Sequence, residues 1–283
     1  MLLKISNLQK NYKDFKLNCS LEAEEGRVTG IIGANGAGKS TTFKAVLGLI
    51  QPDGGTVELF GKALSDITPE DKRRIGTVMS ESGFNMMLTV NDITTIMGAM
   101  YPKFDKERFR NKCSHYKLPF DKQIKEFSTG MKAKLKVLAA MSYDAQLLIL
   151  DEPTVGLDYM TRNELIDEMR EFMEEEGKAI LLSSHISEDL EGICDDVYFL
   201  HQGKILLHED TDKILSEYGV LKVSKEQYEA LDKTHISHQI KTAFGYELLT
   251  SDKQYYLDNY RELVIEKGSI DLLTMFLTKG ETL

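Results

Sequence analysis

Cysteine is scarce in this sequence, and basic charge is in deficit. The three cysteines, Cys19, Cys113 and Cys194, lie far apart, with neither the CxxC spacing of a metal knuckle nor the even number that a disulfide framework needs. A reducing compartment is therefore expected. No uninterrupted apolar run approaches the ~18 residues of a membrane span. The stretch MLLKISNLQKNYKD is broken by Lys4 and polar residues before the apolar core of a secretion signal could form. The chain is thus expected neither to cross a membrane nor to be exported. With 35 Lys and Arg against 45 Asp and Glu, its formal charge is -10. Such a surface repels phosphate backbones over most of its area, which excludes a general nucleic-acid binder. Any phosphate the chain binds must be held locally. Internal repeats and low-complexity segments are absent as well.

What is present is enough for a packed protein: 283 residues, 42% hydrophobic, suit one large domain or a main domain with a small one. LLKISNL and the alternating Phe15, Leu17, Cys19 and Leu21 read as strands, and VTGII (28–32) as a buried one. A helix is expected from about Ser40 to Ile50, then strands at TVELF and IGTVM (75–79). From about Ser82 to Tyr143 the texture turns helical, through ITTIMGAM, DKERFRNKCSHY and MKAKLKVLAAM, which predicts a helical insert in an α/β framework. Continuous apolar runs return at LLIL (147–150) and AILLSS (179–184), as suits a sheet covered on both faces. Leu165, Ile166, Met169, Phe172 and Met173 share a helix face between them. VYFLHQGKILLHED reads as a hairpin turning at Gly203. Beyond about Ser216 the chain is expected to form a separate, less regular tail.

Glycine is concentrated in one place. GIIGANGAGKSTTF, residues 30–43, holds four glycines between an apolar run and a helix. Within it GANGAGKS (33–40) satisfies the P-loop pattern GxxxxGKS in the context that pattern requires, after a strand and before a helix. Glycines at 33, 36 and 38 let successive N–H groups turn inward, and the helix adds unpaired donors and its positive dipole end. Asn35, Gly36, Gly38, Lys39, Ser40 and Thr41 are the candidate nucleotide-binding residues. Lys39 would reach the terminal phosphates and Ser40 would ligate Mg²⁺.

LLILDEP (147–153) places Asp151 and Glu152 where an apolar strand ends, on opposite sides of it. The two carboxylates suit two tasks. Asp151 would hold Mg²⁺, and Glu152 would orient and deprotonate an attacking water.

Taken in order, these features resemble the ATP-binding subunits of ABC transporters over about residues 1–215. GANGAGKS stands as Walker A, LLILDEP as Walker B, VGLD with Asp158 as the D-loop, and SSHIS with His185 as the switch histidine. The resemblance implies that His185 touches the γ-phosphate and that Tyr12, in KNYKDF, stacks on adenine. The family's LSGGQ signature survives only as FSTGM (127–131), keeping Ser128 and Gly130 at the start of a long helix. Two subunits would then sandwich two ATP molecules, each signature facing the other subunit's nucleotide. Where the family carries a glutamine near Mg²⁺, this chain has Ser80 followed by Glu81, and either could serve.

The expected fold class is α/β: a P-loop NTPase core with a mixed sheet, an antiparallel N-terminal β subdomain, a helical insert and a small α+β C-terminal extension. The expected domains are 1–215, with the insert at about 82–143, and 216–283. The implied function is an ATPase with ATP and Mg²⁺ that dimerises with itself or a paralogue. It would power a separate integral membrane permease, docked near Phe84 to Leu88, and bind no nucleic acid. Its place would be cytoplasmic, peripheral on the inner face of the cell membrane. SIDLLTMFLTKGE (269–281) looks like the closing helix of ATPases that serve bacitracin-type and amphipathic-peptide exporters, which implies peptide, antibiotic or lipid-like cargo. The alternative is a soluble or regulatory ABC-type ATPase that senses ATP.

Overall fold

The computed structural model describes residues 1–81 and 83–283. Ser82, the expected first residue of the insert, lies outside the described residues. Antiparallel strands β1 (Leu3–Asn11) and β2 (Lys16–Ala23) lead to β3 (Val28–Ile32), which is buried along its whole length. α1 (Lys39–Val46) follows, then β4 (Gly54–Leu59), β5 (Lys62–Ala63), α2 (Pro69–Lys72) and β6 (Ile75–Val78). α1 stops short of the expected Ile50 because the backbone turns left-handed at Gly48 (φ 66). Three helices form the insert: α3 (Val90–Met100), α4 (Lys106–His115) and α5 (Thr129–Met141). Thr89 and Asp92 close a reciprocal cap on α3, and Asp105 and Ser128 cap α4 and α5. The core resumes with β7 (Leu147–Asp151), α6 (Tyr159–Met173), β8 (Ala179–Ser184), α7 (Ser187–Ile193), β9 (Asp196–His201) and β10 (Lys204–Asp210).

These ten strands form one mixed sheet in the order β5-β4-β1-β2-β10-β9-β3-β8-β7-β6. The half from β9 to the edge strand β6 is parallel. The alternation of a pleated strand splits the core in two: Leu148, Leu150, Ile180 and Leu182 face the insert and α6, whereas Leu147, Ile149 and Leu181 face α1 and the N-terminal strands. The parallel order places the loops after β3, β8, β7 and β6 side by side at the carboxyl end of the sheet, where open α/β sheets hold their ligands.

The chain after Ser216 is more regular than its sequence suggests. α8 (Thr211–Ser216) leads into a second sheet, ordered β14-β11-β13-β12-β15, built from β11 (Gly219–Val223), α9 (Lys225–Ala230), β12 (Ile236–Thr242), β13 (Gly245–Thr250), α10 (Lys253–Asn259), β14 (Val264–Lys267), α11 (Ile270–Lys279) and β15 (Glu281–Thr282). The pattern was obscured because β12 alternates poorly, with mostly half-buried residues, and β14 is largely exposed. Nor does this part stand apart. Ile270, Leu273 and Phe276 of α11 are buried in the same apolar cluster as Ile180 and Leu190. Glu191 of α7 also accepts the Ile270 N–H, at 2.7 Å, one of the helix-start donors that need an outside acceptor. All three cysteines are free and buried. Burial pushes the Cys19 thiol up to about 11 and Cys113 up to about 12, so neither forms a thiolate at neutral pH.

Candidate active site

The glycine loop joins β3 to α1, and two of its glycines are there for different reasons. Gly38 stands at the helix start with φ 117, and a Cβ on it would meet Leu17 at 2.9 Å and Phe15 at 3.0 Å. It caps α1 without any side-chain acceptor, so the first-turn N–H groups remain available to an anion. Gly33 does not share the positive φ of Gly36 and Gly38. A Cβ there would lie 2.3 Å from the Leu200 carbonyl oxygen on β9, so it is close packing that requires glycine. Gly33→Ala should therefore force β3 and β9 apart and cost about 1–3 kcal/mol, as overpacking does. A denaturant midpoint unchanged from the parent chain would contradict that.

Lys39 is 6% exposed and its Nζ donates to the Gly33 carbonyl at 2.5 Å. The same Nζ lies 3.0 Å from Glu152 Oε1, an ion pair whose angle falls short of a hydrogen bond, so this buried oxygen has no hydrogen-bond donor. Glu152 follows β7 in a left-handed backbone conformation, φ 53. That bend is held by its N–H, which is shared between the carbonyl and Oγ of Ser183, both at 3.1 Å. The other carboxylate oxygen, Oε2, accepts from the His185 backbone N–H at 3.2 Å and lies 2.7 Å from His185 Nδ1. Glu152 is thereby fixed between a cation on one side and an imidazole on the other.

Asp151 is fully buried and accepts from three serines: Ser40 at 2.7 Å, Ser80 at 2.9 Å and Ser183 at 2.7 Å. Of the two candidates after β6, it is Ser80 that points inward. Glu81 is 77% exposed and pairs with Lys44 at 2.8 Å, a hydrogen bond that also raises the Lys44 ammonium above its ordinary value.

Tyr12, Asn35, Gly36, Gly38, Lys39, Ser40, Thr41, Ser80, Glu152 and His185 line a single open cleft of about 710 Å³, with Asp151 at its base. Tyr12 is half exposed at the mouth, its ring 6.4 Å from Phe15. A larger surface groove, between α4 and α6, is lined by ion-paired side chains and lies elsewhere. Ser128, Gly130 and Asp158 stand outside the cleft. Ser128 is exposed and caps its own helix by accepting from Met131 N at 3.2 Å. Gly130 abuts Thr161, which Asp158 binds at the start of α6; those hydrogen bonds hold the Asp158 carboxyl below its usual range. Sequence reading missed Ser183, although it sits in the same SSHIS run as His185. It also missed Asp189, a 2% exposed carboxylate on α7 bonded to Thr154 at 2.5 Å and 3.4 Å from Arg162. Burial raises the Asp189 carboxyl above its ordinary value. No short motif announces that link, which ties the turn after β7 and the start of α6 to α7.

Comparison with known proteins agrees with this fold. The family model described as ABC transporter matches residues 17–155. The lantibiotic transport ATP-binding protein SrtF of Streptococcus pyogenes is 35% identical over 225 residues, which cover 75% of this chain and 92% of that protein. The chain belongs to the ABC transporter ATP-binding family. Another member, the bacitracin transport ATP-binding protein BcrA of Bacillus licheniformis, is 33% identical over 209 residues, covering 72% of this chain and 68% of that one. A solved ATP-binding subunit of an ABC transporter superposes with a TM-score of 0.68 at 27% identity, covering 76% of this chain and 92% of that one. A dimeric ABC cassette in a post-hydrolysis state shares the fold, with a TM-score of 0.66 at 20% identity, 74% of this chain and 99% of that one. As a member of the ABC family this chain is an ATP-binding and ATP-hydrolysing protein. Among the described residues, no helix is long and apolar enough to cross a membrane.

Proposed function

We propose that this chain is the ATP-driven subunit of an exporter, closing as a dimer on ATP and passing the motion to a separate membrane permease. The observation that carries the reading is the position of Glu152 between Lys39 and His185, at the wall of a phosphate-shaped glycine loop. Lys39 and the α1 amides take the terminal phosphates, and Tyr12 offers its exposed ring to the base. Water held on Glu152 is lined up with the γ-phosphorus. The new oxygen–phosphorus bond forms as the bond to the β,γ-bridging oxygen breaks, its electron pair staying on ADP, and Glu152 takes the proton. His185 steadies the Glu152 carboxylate and itself lines the cleft. Asp151, Ser40 and Ser80 form a hard-oxygen set with one buried carboxylate and two hydroxyls. That set suits Mg²⁺, which takes few protein ligands and completes its shell with phosphate oxygens and water. When bound, the ion would neutralise phosphate charge.

Ser128 and Gly130 at the open start of α5, with Asp158 beside them, are the surface for a second subunit's nucleotide. The permease would dock beside the insert. Of the stretch 84–88, Phe84 and Leu88 pack on the core, while Met86 and Met87 are exposed and free to meet a partner helix. The named relatives transport a lantibiotic and bacitracin, which supports peptide antibiotics or lipid-like molecules as cargo. The place of action is then the inner face of the cell membrane. The test is reconstitution: the chain with a six-span permease in vesicles should couple ATP hydrolysis to cargo movement. Hydrolysis that neither needs nor responds to any such partner would sink the transport reading and favour a stand-alone ATP sensor.

A further inference from the structure

A second groove, of about 420 Å³, shares Ser80, Glu152 and Val155 with the nucleotide cleft and runs from them toward the insert along α5. Lys132 and Lys136 line it one helical turn apart, on one face of α5, with Thr129 beside them. Three carboxylates also face the groove, and each is committed elsewhere: Asp151 to three serines, Glu152 to Lys39 and His185, Glu81 to Lys44. Among the described residues neither Lys132 nor Lys136 has a hydrogen bond or ion pair from its side chain. Such an arrangement is unusual in a chain with ten more acids than bases, 45 against 35. The Lys136 stem lies against the backbone at Gly83, where an added Cβ would stand 2.9 Å from its Cε. Burial without a counter-ion lowers Lys136 below the ordinary lysine value. A partly desolvated, unpaired ammonium is costly unless an anion reaches it.

We propose that Lys132 and Lys136 form a transit site for inorganic phosphate, through which the cleaved γ-phosphate leaves while ADP still fills the cleft. The proposal rests on the hydrolysis assigned to that cleft. Cleavage leaves an inorganic phosphate anion, a mixture of singly and doubly charged forms near neutral pH, beside the Glu152 carboxylate, which repels it. The nucleotide blocks the way back. The groove beginning at Ser80 and Glu152 offers two unneutralised cations, and the Thr129 hydroxyl adds a neutral donor.

Equilibrium dialysis of labelled inorganic phosphate against the full chain, saturated with ADP and Mg²⁺, tests this. Lys136→Met keeps the apolar stem, so the helix face stays packed, as a thermal melt would verify. It should weaken phosphate binding about tenfold or more, the loss expected for a charge-assisted contact. Lys136→Arg should restore most of it, and ADP affinity should be the same in all three proteins. The site is overturned if phosphate binds the Met variant as tightly as the parent, or if ADP affinity falls in parallel and so places the effect in the cleft. It is equally overturned if the parent binds no phosphate while Lys136 proves necessary for holding the permease, which would make a partner's acidic side chain the occupant. Dialysis does not depend on turnover, so a chain that fails to hydrolyse ATP would remove the hydrolysis reading by a separate result.

Discussion

Glu152→Gln should leave ATP bound, reduce turnover about 10²- to 10⁴-fold, and trap a dimer visible by size-exclusion chromatography. The substitution keeps the side chain's shape, so its seat between Lys39 and His185 survives sterically. What is lost is the capacity to take a proton from water, because the amide is not a base. The loss of charge also removes a repulsive neighbour of the γ-phosphate, which favours the loaded state over the empty one. Retention of ATP with collapse of turnover is therefore the distinctive pair of outcomes. Turnover within a factor of a few of the parent would remove Glu152 from the reaction and require another base. Loss of ATP binding along with turnover would instead mean that Glu152 shapes the cleft.

Lys39→Ala should act on binding itself. Its ammonium lies between the Gly33 carbonyl and the Glu152 carboxylate, so truncation withdraws the main side-chain cation of the phosphate site and leaves a buried carboxylate facing the incoming charge. Losing that charged contact to the phosphates costs about 1.5–3 kcal/mol, which corresponds to roughly ten- to a hundredfold in ATP affinity. Titration calorimetry reads the effect directly, and an affinity equal to that of the parent chain would count against the placement of the loop. Lys39→Arg keeps the charge but not the fit, since a planar guanidinium does not replace a point-charge ammonium in a tight cradle.

Local chemistry is what made the site readable before any fold was known. A glycine run after an apolar strand, an acid pair closing another and a histidine closing a third each carry their meaning in a few adjacent letters. The parallel order of β3, β8, β7 and β6 then brings those loops together. Less legible were features that depend on what lies across the fold. Gly33 is dictated by a carbonyl on β9, some 170 residues later in the chain, and Asp189 by Thr154 and Arg162. The signature serine gave an incomplete answer for a related reason: as a helix cap it already has an intramolecular task, and the contact proposed for it with another subunit leaves no further mark in one sequence. The last quarter of the chain hid its strands because half-buried strands need no strict alternation of polar and apolar residues.

The left-handed turn at Glu152 has an evolutionary corollary. For a residue with a Cβ, that geometry costs roughly 1–2 kcal/mol relative to an ordinary backbone well, a cost that glycine would avoid. Here, then, chemistry and conformational ease pull in opposite directions. A lineage released from the need to split ATP would gain that backbone ease by placing glycine here, yet it would also strip Lys39 of its buried counter-ion, so the electrostatic partners of this acid hold it at a strained position.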